Sequence, residues 1–483
     1  MISRWRCPPT IWQALLITAT LLISFSYFPD LRGGWNQDSR FDLTRAIVEN
    51  HSLYIDGYDE NTGDKAFWEG HFYSDKAPGL ALSAVPVLEA GRVALHAVQK
   101  DSSGPRTIVA ERYLVTVVCV ALPSALAAAA LFLVAVKLGA SVNGAGFAAV
   151  TFGLATPFWC YATLFWGHAL SAACLFFAFA SVVPLREFVS PQRDLLLGIF
   201  VGLMAGWATV TEFPAAPPAA VVAALALAYA WPGGGWRLFR VATGITIGVL
   251  PCLVVLMIYN ALAFGSPFKL GYAISAHQGW PLMQQGFMGV TYPKANALRE
   301  ILVGRYRGLL PLAPIVGAAP FGLWLLWKQR NARGSALVVT AIAIYYILLN
   351  ASYAVWYGGY SYGPRHLSPA LPFLCLPVAL LWTRSSLVFR SLLAVLAFCG
   401  VLVSLVAVST NTLPPDYVKS PVQELLWPAF RAGHLQANLG KLTGLQGLAS
   451  LIPLLLFWSA AFTAWMWLRL TLVPKPSEVA RKE

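Results

Sequence analysis

Charge is what this sequence has least of. Only 11% of its 483 residues are Asp, Glu, Lys or Arg, against roughly a quarter in soluble domains, and that shortage excludes an ordinary water-soluble globular fold. Acids are scarcer than bases, 21 against 34. The seven cysteines lie mostly inside apolar runs, which excludes a disulfide framework and leaves them as small buried side chains. There is no solenoid-type repeat and no low-complexity tract. The formal net charge of +13 does not indicate nucleic acid, because the Lys and Arg residues lie between apolar runs and do not cover one face of a polar domain.

What the chain does have is apolar length. Hydrophobic residues make up 58% of it, arranged in about twelve stretches near the ~20 residues that cross a bilayer as a helix. Lipid offers no hydrogen bonds to the backbone, so such runs must be helices, and barrel strands would alternate instead. The fold class is all-α, a polytopic membrane protein read as a single membrane domain over 1–483. Spans are expected near 11–28, 109–136, 143–160, 169–185, 195–211, 213–231, 241–263, 308–327, 336–353, 367–383, 391–409 and 449–468. No small-residue cleavage site follows the run after Arg4 and Arg6, so it reads as a retained first helix.

With the N-terminus inside, the short inside connections carry Lys137, Arg186, Arg193, Arg237, Arg240, Lys328, Arg330, Arg333, Arg384 and Arg390, and the tail carries Arg481 and Lys482. This is the positive-inside pattern, and it puts both termini in the cytoplasm. Only Glu187, Asp194, Glu478 and Glu483 among the 21 acids fall on that side. The opposite face gathers the other acids and the long connections 29–108, 264–307 and 410–448. Two short ones, 161–168 and 354–366, are dense in aromatic and polar groups.

In the first long connection, WNQDSRFDLTRAIVE (Trp35 to Glu49) has the form of a capping box at Ser39 and Asp42. The spacing predicts a helix from Ser39 lying on the membrane surface, with Asp38 just before its start. An anion such as phosphate can be held there, with Arg40 as a further cation. A second cluster from His71 places Tyr73, Asp75 and Lys76 before another interfacial helix, where Lys76 can meet a lipid phosphate.

The motifs QDSRF (Gln37 to Phe41) and YSDKAPG (Tyr73 to Gly79), in this order and spacing, resemble the GT-C superfamily of membrane glycosyltransferases. The likeness is to family 39 protein O-mannosyltransferases and to the aminoarabinose transferases that modify lipid A. VWYGGYSYGPRHLSPALPF (Val355 to Phe373) looks like the Arg-bearing outer segment of related bacterial transferases. The family's two adjacent acids read Gln37-Asp38 here, so the resemblance makes Asp38 the catalytic carboxylate. The second outer connection, where the family tends to carry an acid, has His168 and no carboxylate, so no cofactor and no dedicated divalent-metal site are expected.

Each candidate has a plainer alternative. Asp38 as general base competes with a carboxylate stabilising a helix start. Lys76, Arg365 and Arg40 as donor-phosphate ligands compete with a snorkelling lysine and exposed arginines. His168 can orient an acceptor, bind phosphate or be a satisfied interfacial histidine, and Glu212 is either functional or part of a Pro-broken helix end at Pro214. Trp356 and Tyr362, with Tyr357 and Tyr360, suit a sugar-stacking wall or simple interfacial packing, and Tyr73 is a further substrate contact. The 264–307 connection, with Lys269, His277, Trp280, Lys294, Arg299, Arg305 and Arg307, can cover an anionic substrate or touch head groups. Glu111 and Arg112 read as structural.

The resemblance implies an inverting glycosyltransferase of the bacterial inner membrane. It would move one monosaccharide from a polyprenyl-phosphate donor to a periplasmic-face glycan, lipid or protein. The alternatives are a transporter or flippase of lipid-linked sugars and an O-antigen ligase or polymerase.

Overall fold

The computed structural model describes residues 9–98, 104–187, 190–274 and 281–472. Arg4, Arg6, Cys7, His277, Trp280, Glu478, Arg481, Lys482 and Glu483 lie outside them. Among the described residues, nine helices are long and apolar enough to cross a membrane, from Arg106–Lys137 to Gly447–Thr471. Two shorter apolar helices, Thr10–Ser26 and Val142–Leu154, pack beside them. The stretch expected to span near 308–327 is broken into Leu309–Leu312, a 3-10 turn over Pro314–Ala318 and a helix over Ala319–Lys328. Pro311 and Pro314 lack the N–H that a continuous helix needs there.

One helix pair positions much of the site. Pro191–Thr211 and Gly235–Phe264 touch backbone to backbone along Gly198, Gly202, Gly244 and Gly248. A Cβ on Gly202 would stand 2.1 Å from the Ile245 carbonyl oxygen, so these small residues set the approach. At the end of the pair with short connections, Arg237 meets Asp194 at 3.0 Å and donates to the Leu185 carbonyl at 2.8 Å. The other end delivers Glu212 and the segment that carries Tyr272.

After helix α1 (Pro9–Ser26), that other face is built from helix α2 (Trp35–Asn50), a hairpin of β1 (Lys65–Trp68) and β2 (His71–Ser74), and helix α3 (Gly79–Val98). Two expectations are corrected here. The helix starts at Trp35 and not at Ser39; Gly34 is the N-cap, and Asp38 accepts the Gly34 N–H at 2.8 Å from within the first turn. Ser39 has no capping role, its Oγ lying 2.8 Å from Ser74 Oγ. Much of α2 packs against the protein. Arg40, Asp42 and Thr44 are buried along with Phe41 and Leu43, because α3, β2 and the turn Asp59–Asn61 cover it. The hairpin, absent from an all-α expectation, turns at Glu69 and Gly70, both with positive φ, as a two-residue hairpin requires. Lys269 holds it down, its Nζ 3.3 Å from the centre of the Trp68 ring.

Candidate active site

Residues two apart on a helix point about 200° apart, so Arg40 and Asp38 leave α2 on opposite sides. Arg40 turns inward. It is 1% exposed and reaches Glu212 Oε1 at 2.7 Å and the Ala77 carbonyl at 2.9 Å. Glu212 is available because the preceding helix ends at Thr211 before a 3-10 turn through Pro214. The same carboxylate oxygen lies 3.3 Å from Nδ1 of His168, in the first turn of the helix Gly167–Val182. Gly167 makes this docking possible, since a Cβ there would stand 2.3 Å from Glu212 Oε1.

His168 Nε2 has no hydrogen-bond partner among the described residues, and its ring faces His366 with centroids 5.6 Å apart. His366 stacks on Tyr353 at 4.2 Å. The Arg365 guanidinium stands 5.3 Å from the Trp166 ring centre and has no carboxylate partner among the described residues. Lys76 completes the group, 2.9 Å from Asp64 and 3.1 Å from Asp75. Burial opposes its charge, but the two carboxylates more than offset this and raise its pKa above the ordinary lysine value. Lys76 is therefore a permanent cation. Tyr272 bridges the halves, feeling Lys76, Glu212, Arg40 and Asp75; burial, against the pull of the Lys76 ammonium, pushes its hydroxyl up to about 12.

Arg40, Lys76, Arg365, His168 and Glu212 thus converge from segments far apart in the chain. Other candidates stand apart from them. Asp38 pairs with Arg112 at 2.8 Å on the far side of α2; burial raises its pKa while Arg112 and the Gly34 N–H pull the other way. Tyr73 packs in the hairpin core against Phe264, ring centres 5.4 Å apart. Tyr362 is 1% exposed, its hydroxyl 3.4 Å from the Val403 carbonyl, so it packs in the interior. Trp356 lies against Tyr306 and Tyr357. Arg307, also buried, holds that segment by donating to the Tyr357 and Gly359 carbonyls at 3.1 and 2.9 Å.

Sequence reasoning missed His366, Tyr272, Tyr353, Asp64 and Arg112. His366 had a signal in its adjacency to Arg365. Tyr272 and Asp64 had none, since only the folded chain brings them to Lys76. Arg112 partners Asp38 and not Glu111, which goes to Arg92 at 2.6 Å.

Asp42, one turn beyond Asp38, is raised to about 7 by burial, which the Asn61 amide only partly counters. A carboxyl that holds its proton more tightly when folded gives stability that is complete below about pH 4 and lost as pH rises through 7. Asp42→Asn keeps the shape without the charge. Its melting temperature should match that of the parent at pH 4 and exceed it at pH 8; equal values at both would show that Asp42 ionises freely.

The fold and site define a polytopic α-helical membrane protein with a buried cluster of cations at the face that bears the long connections. No family model matches the sequence, and no curated protein matches it. Solved structures do. The crystal structure of ArnT from Cupriavidus metallidurans bound to undecaprenyl phosphate shares 15% identity at a TM-score of 0.52, covering 96% of this chain and 73% of that one. The same protein in its apo state gives 16% and 0.54 over the same shares. At that identity the likeness shows a fold shared with ArnT, and the fold alone.

Proposed function

We propose that this protein is a GT-C glycosyltransferase that moves one monosaccharide from a polyprenyl-phosphate donor to a hydroxyl on the non-cytoplasmic side of a bacterial inner membrane. The basic short connections support this sidedness. One observation carries the proposal: three cations, Lys76, Arg40 and Arg365, converge at one buried place, and Arg365 has no carboxylate partner among the described residues. A phosphate is the anion such a set is built to hold. That ArnT was crystallised with undecaprenyl phosphate supports the same donor class.

Transfer breaks the bond between the anomeric carbon and the phosphate oxygen while the acceptor oxygen bonds to that carbon from the opposite side, inverting it. The departing phosphate keeps the electron pair, and the three cations stabilise its charge. The acceptor's proton goes to a carboxylate, which we assign to Asp38. A second base candidate exists in the cluster itself, where Glu212 orients His168 and leaves Nε2 free. Because protein cations supply the charge stabilisation, the reaction should need no metal and proceed in chelator.

Purified protein in nanodiscs, given a polyprenyl-phosphate sugar and candidate hydroxyl acceptors, should form a new glycosidic bond. Asp38→Asn should lower kcat by about 10²–10⁴-fold, the usual contribution of a general base, with KM for the donor little changed. Full activity in Asp38→Asn with loss in His168→Gln would move the base to His168. Passage of the donor across the bilayer without a new bond would make the protein a transporter.

A further inference from the structure

Beyond the cation cluster, the same face carries a cleft of about 690 Å³, within the range of small-ligand sites. It lies under the last long connection. Its walls come from the chain just after α1, the end of the helix Leu387–Thr410 and the segment 425–447. Arg32, His434 and Lys441 line it, and no aspartate or glutamate does among the described residues. The Arg32 guanidinium donates to the Thr410 carbonyl at 2.8 Å and meets the Gln436 amide oxygen at 3.5 Å. The Lys441 ammonium donates to the Leu435 carbonyl at 2.6 Å. Each charge is therefore held in place by neutral acceptors, with no carboxylate partner among the described residues. Gln446 adds an amide suited to hydroxyls, and Leu425 belongs to an apolar wall.

The cleft's position connects it to the reaction. Pro29, Leu31 and Arg32 form one of its walls, and two residues further along the chain Gly34 gives the N–H that Asp38 accepts. Asp30, between the cleft residues Pro29 and Leu31, bonds to Gln37 at 2.5 Å. The wall of the cleft thus leads within a few residues of chain into the start of α2, which bears Asp38.

We infer that this cleft binds the acceptor, and that the acceptor is an anionic polyol of the phosphorylated-sugar type. The inference rests on the transferase reading for the role of the occupant, but the binding chemistry stands on the cleft alone. Basic groups without carboxylates favour a phosphate, the amides favour hydroxyls, and the apolar wall accommodates a ring face.

The test uses full-length protein in phosphatidylcholine nanodiscs and measures binding of myo-inositol 1-phosphate by calorimetry, with myo-inositol as the uncharged control. Nanodiscs doped with phosphatidylinositol present the same head group tethered to lipid. Wild type should bind the phosphorylated polyol at least tenfold more tightly than myo-inositol, and Arg32→Gln,Lys441→Gln should lose that difference. Binding of the soluble phosphate identifies a free acceptor; an effect with phosphatidylinositol alone identifies a lipid-borne one. Lys441→Glu, which gives up only the Leu435 contact, supplies a second variant should the double one fold poorly, and it should repel the phosphate. Undiminished binding in folded variants, or equal binding of myo-inositol, would overturn the inference. Polyprenyl phosphate binding, measured in the same samples, should survive in both variants. Its absence from wild type would remove the transferase reading while leaving the cleft's anion binding intact.

Discussion

Lys76→Ala will lose binding of polyprenyl phosphate and, with it, transfer. The expected fall is about 10²–10³-fold in kcat/KM, the range for removing one donor from a preorganised, water-excluded anion site. Two features push the effect to the upper end. The ammonium is buried and held charged by Asp64 and Asp75, so no water or flexible neighbour can replace it. Its removal also leaves those carboxylates facing the incoming phosphate, adding repulsion to the lost attraction. Asp64→Asn,Lys76→Ala removes part of that repulsion and should regain part of the binding but little of the rate. Titration of undecaprenyl phosphate into protein in nanodiscs, followed by fluorescence or calorimetry, measures the first quantity, and product formation the second. If Lys76 were a head-group anchor, Lys76→Ala would lower stability and leave donor affinity where it was.

How far the sequence carried the reading depends on the range of each interaction. Spans were legible because lipid imposes an apolar length on every crossing helix; the stretches near 143–160 and 308–327 are broken where Pro157, Pro311 and Pro314 interrupt the pattern. Lys76, Arg40, Arg365, His168 and Glu212 were legible as chemistry in unusual places, either beside a helix start or as charges at a membrane boundary. That they meet was not legible, because Arg40 and Glu212 are joined only by the fold. The start of α2 was misread for a local reason. Ser39 and Asp42 have capping-box spacing, yet Asp38 reaching back to Gly34 serves the helix end and frees Ser39 for Ser74. The hairpin at Glu69-Gly70 escaped notice since its turn lacks the usual Asn-Gly signature, and only the pairing of Lys65 with Ser74 fixes it. Aromatics were the least legible. Tyr362 and Trp356 share a motif with Arg365, but proximity in sequence says nothing of which ring faces the cation cluster, and Tyr362 turned into the core.

The division of labour across α2 follows from its period. Asp38 and Asp42, four apart, share one side, while Arg40 between them turns to the other. Arg112, coming from the next span, holds Asp38 on its side.

Glu212→Ala should be the most damaging single change to stability. It strips Arg40, 1% exposed, of its only carboxylate among the described residues and His168 of the oxygen beside Nδ1. Leaving one buried charge unpaired costs about 3–5 kcal/mol, enough to lower the thermal midpoint by several degrees in a detergent or nanodisc melt. The cost comes mainly from the orphaned guanidinium and not from the lost attraction, which gives the prediction its sharper form. Arg40→Met,Glu212→Leu removes both charges, fills the space with apolar groups and should recover most of the lost midpoint. Activity should not recover, because the donor phosphate has lost a cation and His168 its orienting carboxylate. Stability and activity therefore part company in the double variant. A Glu212→Ala protein as stable as its parent would show Arg40 to be well solvated, and an active double variant would place both residues outside the transfer reaction.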